Sequence, residues 1–304
     1  MSTEFQELLK HYFSINAEIF EPLRDGEENQ NFKVILPHSQ YLLRVYSTNH
    51  TTTGRRSKAQ IEQEHRFIQH LANAQVPTPV AMKNDAGDTV IDGPDGRFAA
   101  LFPFVYGQHP VRYTKDVVKQ IGELLGKIRK AATSFSEQPT RQWGKDSLEN
   151  YVNEYRSIES KFSGAQQLIL RKLADSVESS LKKVNHLEKG FIHGDIKLGN
   201  LLYTTDGILL AIIDFDDFRE SYFIEELTRT LMHDLHNPQQ NAIRSGNSSH
   251  VITAYVPNKQ ESELLKLFLR ARFLHDVGSY ISRNLENLVD KLLDDEHIKS
   301  SLLI

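Results

Sequence analysis

Two short stretches decide the reading of this chain. They are Ile192-His193-Gly194-Asp195-Ile196-Lys197-Leu198-Gly199-Asn200-Leu201-Leu202 and, slightly downstream, Ile212-Ile213-Asp214-Phe215-Asp216-Asp217. Each sets short polar residues directly against a strand-like apolar run. A rigid strand end is a good place from which to hold a carboxylate or an amide in a fixed position, so both stretches read as strand-to-loop junctions carrying chemistry.

The inventory suits phosphoryl transfer. That reaction develops charge which a divalent metal neutralises, and Mg²⁺ prefers one or two carboxylates, carbonyl oxygens and water. Asn200 and Asp214 supply such oxygens. A separate carboxylate has to orient the acceptor hydroxyl and take its proton late, and Asp195 is the candidate.

Working outward, the first hundred residues alternate between helix and strand signals. Phe5, Leu8, Leu9, Tyr12 and Phe13 have helical spacing within 2–20. Asp25-Gly26 signals a turn; Phe32–Leu36 and Tyr41–Tyr46 then read as two strands joined by Pro37-His38-Ser39-Gln40. Ser57 to Ala74 reads as a helix through Ile61, Glu64, Phe67, Ile68 and Leu71, closed by Pro77 and Pro79. Thr89-Val90-Ile91 and Phe98–Phe102, around Gly93-Pro94-Asp95-Gly96, read as an antiparallel pair.

Beyond Pro103 the pattern is helical over 114–134, 146–160, 166–187, 223–236 and 260–296, with a β-rich island at 191–216. The Asn-, Ser- and Gln-rich segment 237–249 is expected to be a mobile loop. The fold class expected is therefore α+β. A first lobe over 1–103 has an antiparallel sheet and one crossing helix, and a mainly helical lobe covers 104–304.

The two quoted stretches resemble the catalytic and metal-binding loops of the aminoglycoside phosphotransferase and choline kinase superfamily, the small-molecule branch of the protein-kinase-like fold. His193-Gly194-Asp195 with Asn200 is more similar to these kinases than to the His-Arg-Asp of most protein kinases, and Asp214-Phe215-Asp216 stands where those carry Asp-Phe-Gly. The resemblance covers about residues 25–235. It implies a two-lobed kinase fold with MgATP in the cleft, ATP and Mg²⁺ as cofactors, and a small-molecule hydroxyl as acceptor.

Residue by residue, the resemblance implies that Asp195 is the catalytic carboxylate and that Asn200 and Asp214 are metal ligands. His193 would brace the catalytic loop. Asn31, within Asn29-Gln30-Asn31-Phe32, matches the phosphate-covering hairpin. Arg44 falls at the position of the β3 lysine, with Glu64 expected as its partner. Phe102 and Phe104, in Phe102-Pro103-Phe104-Val105, match the interlobe hinge that meets adenine through its backbone, and Lys197 is a second phosphate contact. The chain departs from protein kinases in lacking a Gly-x-Gly-x-x-Gly loop and in carrying arginine where lysine is expected.

Other features carry less. The acidic set Asp216, Asp217, Glu225, Glu226 and Asp234 would suit an amine-bearing acceptor, or equally would open a helix and cap turns. His233-Asp234-Leu235-His236 reads as a polar helix end rather than a metal site. Arg55-Arg56 and Lys182-Lys183 read as solvated charge, and Trp143 as a residue of the loop before a helix.

The 304 residues include 39% hydrophobic and 25% charged ones, with a formal charge of −4, which gives no electrostatic case for nucleic acid. Without cysteine there is no disulfide, zinc–thiolate site or thiol nucleophile. No apolar run reaches membrane-span length, and the start lacks a signal-peptide pattern, so a soluble cytoplasmic protein is expected. The rival readings are a protein Ser/Thr kinase, a nucleotide-binding pseudokinase and a metal-dependent phosphoesterase. The first lacks an Ala-Pro-Glu segment after Asp214. Intact Asp195, Asn200 and Asp214 argue against the second, and the single histidine of the motif against the third.

Overall fold

The computed structural model describes residues 2–17, 19–23, 29–48, 56–142, 144–162, 164–235, 237, 240–283 and 286–303. The turn at Asp25-Gly26, Arg55, Trp143 and His236 lie outside the described residues. The chain divides into two compact units, Met1–Gln108 with Leu202–Asp217, and His109–Leu201 with Phe218–Ile304. The 104 start expected for the second lobe falls just ahead of the first break, and the return of Leu202–Asp217 to the first unit has no signal in the linear sequence.

The first unit opens with α1 (Ser2–Phe13), then β1 (Ile19–Leu23), β2 (Gln30–Ile35) and β3 (Gln40–Val45). Helix α2 (Lys58–Asn73) follows, then β4 (Ile91–Asp92) and β5 (Phe98–Pro103). The five strands form one sheet in the order β1-β2-β3-β5-β4, every recorded pairing antiparallel. Strand alternation gives this sheet two faces. On one, Val34, Leu43, Val45, Ala99 and Leu101 pack with Phe5, Leu9 and Phe13 of α1. On the other, Ala100, Phe102 and Tyr46 pack with Ile61 of α2. Arg44, between Leu43 and Val45, points to the second face, the one that α2 covers.

Helix α2 starts where the sequence predicts because Ser57 closes a capping box with Gln60. Gln60 N–H donates to Ser57 Oγ at 3.3 Å, and Ser57 N–H donates to Gln60 Oε1 at 2.8 Å. Such a cap contributes about 0.5–2 kcal/mol. Strand β1 is an element that the sequence pattern did not reveal; it pairs with β2 from Ile19↔Ile35 to Leu23↔Asn31.

The second unit contains α3 (Lys115–Ala132), α4 (Lys145–Ile158), α5 (Gly164–Ser180) and β6 (Lys189–Ile192). The chain then forms β7 (Leu201–Tyr203) and β8 (Leu209–Ile212), a two-stranded sheet. Ile212 N–H donates to Pro77 O at 2.8 Å within the first unit. The second unit resumes with β9 (Arg219–Tyr222), antiparallel to β6, and with α6 (Phe223–Met232) and α7 (Ser248–Tyr255). It ends with α8 (Lys259–Ser282), α9 (Glu286–Asp294) and α10 (Glu296–Leu303). Gly122 lets α3 and α7 meet closely, since a Cβ there would lie 2.5 Å from Val251 O.

Three expectations are corrected here. The single helix read over 260–296 is α8 followed by α9. The helix read over 223–236 stops at Met232, with His233 in extended backbone. The segment expected as a mobile loop is pinned by side chains. Asn241, fully buried, donates to Leu231 O and His233 O at 3.0 and 2.6 Å, and Arg244 reaches Leu235 O at 2.8 Å. Asn247 reaches Tyr113 O at 2.8 Å, just ahead of α7. Polar composition suggested solvent exposure, but these polar groups satisfy backbone carbonyls, at and just beyond the end of α6 and, for Tyr113, ahead of α3. Among the described residues no helix is long and apolar enough to cross a membrane.

Candidate functional site

In the second unit, the loop after β6 is built on backbone hydrogen bonds. The chain reverses at Gly194, whose φ of +85° suits glycine. Its N–H donates to both carboxylate oxygens of Glu226, at 3.1 and 3.0 Å. The Asp195 N–H donates to His193 Nδ1 at 3.2 Å, so that nitrogen carries no proton. His193 is fully buried, with its ring tied to the backbone of the loop.

The Asp195 carboxylate is ordered at one oxygen. Its Oδ2 accepts from Asn200 Nδ2 at 3.1 Å and pairs with Lys197 Nζ at 2.8 Å. Asn200 Nδ2 also reaches Asp195 O at 2.8 Å. Asp195, Lys197 and Asn200 are thus brought together. Burial opposes ionisation of Asp195, but Lys197, His233 and Arg229 outweigh it and hold the carboxyl down at about 2.

Two of the neighbouring acids are engaged by buried partners. Arg219, 3% exposed, holds both oxygens of Glu225 at 2.9 and 3.0 Å, and Glu226 is occupied by Gly194. Burial pushes Glu226 up to about 7, against the pull of the Gly194 N–H and with the help of Glu225. Asp234 contacts His233 Nε2 at 3.1 Å. Among the described residues no group of three His, Cys, Asp or Glu side chains could hold a metal ion.

In the first unit, Arg44 and Asp214 meet. Arg44 Nη2 donates to Asp214 Oδ1 at 2.6 Å and to Asp216 Oδ2 at 2.7 Å. Asp214 adopts a left-handed backbone at φ +69°, where aspartate is tolerated better than most residues, and its side chain is 40% exposed. Asp216 is buried; besides Arg44 it accepts from Asn29 Nδ2 at 2.5 Å and faces Arg56 Nη2 at 3.3 Å.

Glu64 does not pair with Arg44. Its partner is Arg56, whose Nη1 lies 2.5 Å from Glu64 Oε2. Arg44 turns instead to Asp214 and Asp216, because a second guanidinium already fills the place beside Glu64. Arg56, read from sequence as solvated, is 8% exposed, whereas Lys182 and Lys183 are exposed as expected. Burial raises Glu64 to about 7 despite Arg56. Both guanidiniums lie over the Tyr46 ring, Arg44 at 5.6 Å and Arg56 at 5.0 Å from its centroid. The Tyr46 hydroxyl bonds His65 Nε2 at 2.9 Å, and His65 Nδ1 meets Thr89 Oγ1 at 2.9 Å.

The remaining candidates are placed as follows. Asn31 stands opposite Arg44 in the β2–β3 register, and its Oδ1 is buried without a hydrogen-bond partner among the described residues. Phe102 is buried, edge-on to His65 at 5.4 Å. Phe104 lies beside Tyr106 with the Lys33 ammonium 4.9 Å from its ring, and its backbone N–H is taken by Gln40 O at 3.1 Å. Sequence reasoning gave no site role to Arg56, Tyr46 or Asn29, the last of which donates to Asp216. For Asn29 the quoted Asn-Gln-Asn-Phe motif was a usable signal; for Arg56 none existed.

Comparison with known proteins bears on the family and the fold. The sequence pattern of the phosphotransferase enzyme family matches residues 19–253. A homoserine kinase of Zymomonas mobilis subsp. mobilis is 27% identical over 198 residues, a match spanning 64% of this chain and 58% of that kinase. Among solved structures, a microcompartment-associated aminopropanol kinase superposes with a TM-score of 0.73 at 19% identity, covering 100% of this chain and 99% of that one. An amicoumacin kinase in complex with AMP-PNP and Ca²⁺ gives 0.69 at 16% identity, over 95% and 93% of the two chains. These likenesses establish the α+β kinase-like fold.

Proposed function

Because the chain belongs to the phosphotransferase enzyme family, we propose that it is a cytoplasmic kinase that moves the γ-phosphoryl group of ATP to a hydroxyl of a small molecule. The reading rests above all on Asp195. Its Oδ2 is fixed by Asn200 and Lys197, while Oδ1 accepts no hydrogen bond among the described residues and is left for an acceptor hydroxyl. A carboxyl held at about 2 stays ionised at working pH. It is a weak base, suited to orienting the hydroxyl and receiving its proton once bond formation has made that proton acidic.

The pairing of residue types proposed for the metal suits Mg²⁺. It offers one amide and one carboxylate rather than an all-protein cage, which is how Mg²⁺ is commonly held together with phosphate and water. In the proposal Asn200 contributes Oδ1, its Nδ2 being committed to Asp195, and Asp214 contributes its carboxylate. When bound with nucleotide, Mg²⁺ neutralises charge on the phosphate oxygens. Arg44 supports the phosphates through the part of its guanidinium not engaged by Asp214 and Asp216; its Nε is buried and makes no hydrogen bond among the described residues. Asn31 and Lys197 contribute further polar contacts to the nucleotide, with Glu64 ordering Arg56 behind them. The backbone of Phe102 and Phe104 meets the base, with the Phe104 carbonyl the more available group.

Homoserine-like amino alcohols, choline-like alcohols and aminoglycosides are the acceptor classes. Two of the three kinases compared above are named for homoserine and for aminopropanol, which puts amino alcohols first. The test is MgATP-dependent phosphorylation across these three classes with a generic protein as a fourth acceptor. Transfer to one small-molecule class is expected. Phosphate appearing only on the protein, or on none of the four, would contradict the proposal.

A further inference from the structure

Arg44 is not anchored by the glutamate of α2, so something else must fix it. Asp216 does this, and its two oxygens face different arginines. Oδ2 accepts from Arg44 at 2.7 Å and Oδ1 faces Arg56 at 3.3 Å, while Asn29 fixes the carboxylate itself. Asn29 is in turn held by the Ser47 N–H at 2.9 Å. The relay continues through Arg56 to Glu64 on α2, and a Phe67–Phe215 ring contact at 6.5 Å ties the same helix to the same segment.

Two buried guanidiniums near one aromatic ring repel one another unless an anion lies between them. Asp216 is that anion, and the geometry explains why Arg56 can pair with Glu64 without pulling Arg44 away from Asp214. We propose that Asp216 is a positioning residue for nucleotide binding. It holds Arg44 against Asp214, while Arg56, rather than Arg44, carries the tie to α2. This inference rests on the kinase reading above but assigns a role to Asp216 and Arg56 that neither the sequence motif nor the family likeness supplies.

The consequence is separable from a structural one. Asp216→Asn keeps the shape and removes the charge between the arginines. Misplacing a group that supports a metal- or phosphate-binding residue weakens ligand affinity by about 10–100-fold. The expected result is a rise of about tenfold in both the KM for MgATP and the dissociation constant of Mg·AMP-PNP, with a smaller change in kcat. Arg56→Gln should reproduce the shift, Arg56→Lys should restore part of it, and the double variant Asp216→Asn/Arg56→Gln should lose less than the sum.

The experiment measures AMP-PNP binding by calorimetry alongside thermal melting. Should Asp216→Asn not fold, Arg56→Gln tests the same tie from its other end. A lower melting temperature with wild-type affinity in the folded variants would mean a structural role only and would overturn the inference. Failure of the wild type itself to bind AMP-PNP would instead sink the kinase reading, and this inference with it.

Discussion

Asp195 and the Asp214–Asp216 pair are both strand-end carboxylates, yet they are held in different ways. Asp195 is fixed by residues two to five positions away, namely His193, Lys197 and Asn200, with Glu226 anchoring the preceding glycine. Asp214 and Asp216 are fixed by Arg44 and Asn29, which lie 170 to 187 positions away in sequence. The first arrangement is written into one short motif. The second exists only after β2, β3 and the 202–217 segment have come together in one unit. A local loop can therefore be read from its sequence, whereas a charge network cannot.

The largest effect is expected at the locally built site. Asp195→Asn should lower kcat by about 10²–10⁴-fold while leaving nucleotide affinity nearly unchanged, since the role proposed for the residue is toward the acceptor. Steady-state kinetics with varied ATP checks this. A loss confined to the KM for ATP would erase the contrast between the two regions.

Next comes Arg56→Ala. Removing one member of a buried charge network strands Glu64 and leaves Asp216 Oδ1 without a facing cation, a change that costs about 3–5 kcal/mol. The expected outcome is a large drop in melting temperature. An exposed lysine such as Lys182 offers the control, where a change should stay within about 0.5 kcal/mol. Equal effects at Arg56 and Lys182 would show that the long-range network contributes nothing.

The smallest effect concerns pH, and it compares one buried glutamate from each unit. Glu64 and Glu226 are both raised from an ordinary value of 4.5 to about 7, in each case first by burial. As pH rises, the unfolded chain gives up these protons near 4.5, while the folded chain keeps them until about 7. The stability each contributes is thus full below 4.5, falls between 4.5 and 7, and is level above. The loss is on the order of 3 kcal/mol per group. Denaturant melts from pH 4.5 to 8 should become flatter in Glu226→Gln and in Glu64→Gln. A slope that neither substitution changes would mean that both carboxyls titrate normally.

The same division explains what was legible in the sequence. Helix α2, the strand pair β2–β3 and the loop carrying Asp195 and Asn200 follow from periodicity, a capping box and a compact motif. Strand β9 was hidden because Arg219 and Ser221 make it look polar, although Arg219 is buried against Glu225. Helix α7 was hidden behind a polar stretch whose asparagines bond to backbone. Arg56 looked like surface charge because its carboxylate partners lie on α2 and in the segment containing Asp216. In each case a polar side chain was buried by a partner that sequence spacing does not announce.

The central claim is that Asp195 serves the acceptor and Asp214 the metal–nucleotide. Its most direct test is calorimetric titration of AMP-PNP, with and without Mg²⁺, into the wild type, Asp195→Asn and Asp214→Asn. Mg²⁺ should strengthen binding to the wild type and to Asp195→Asn alike, and that gain should vanish in Asp214→Asn. A full Mg²⁺ dependence surviving in Asp214→Asn, or lost in Asp195→Asn, would contradict the account.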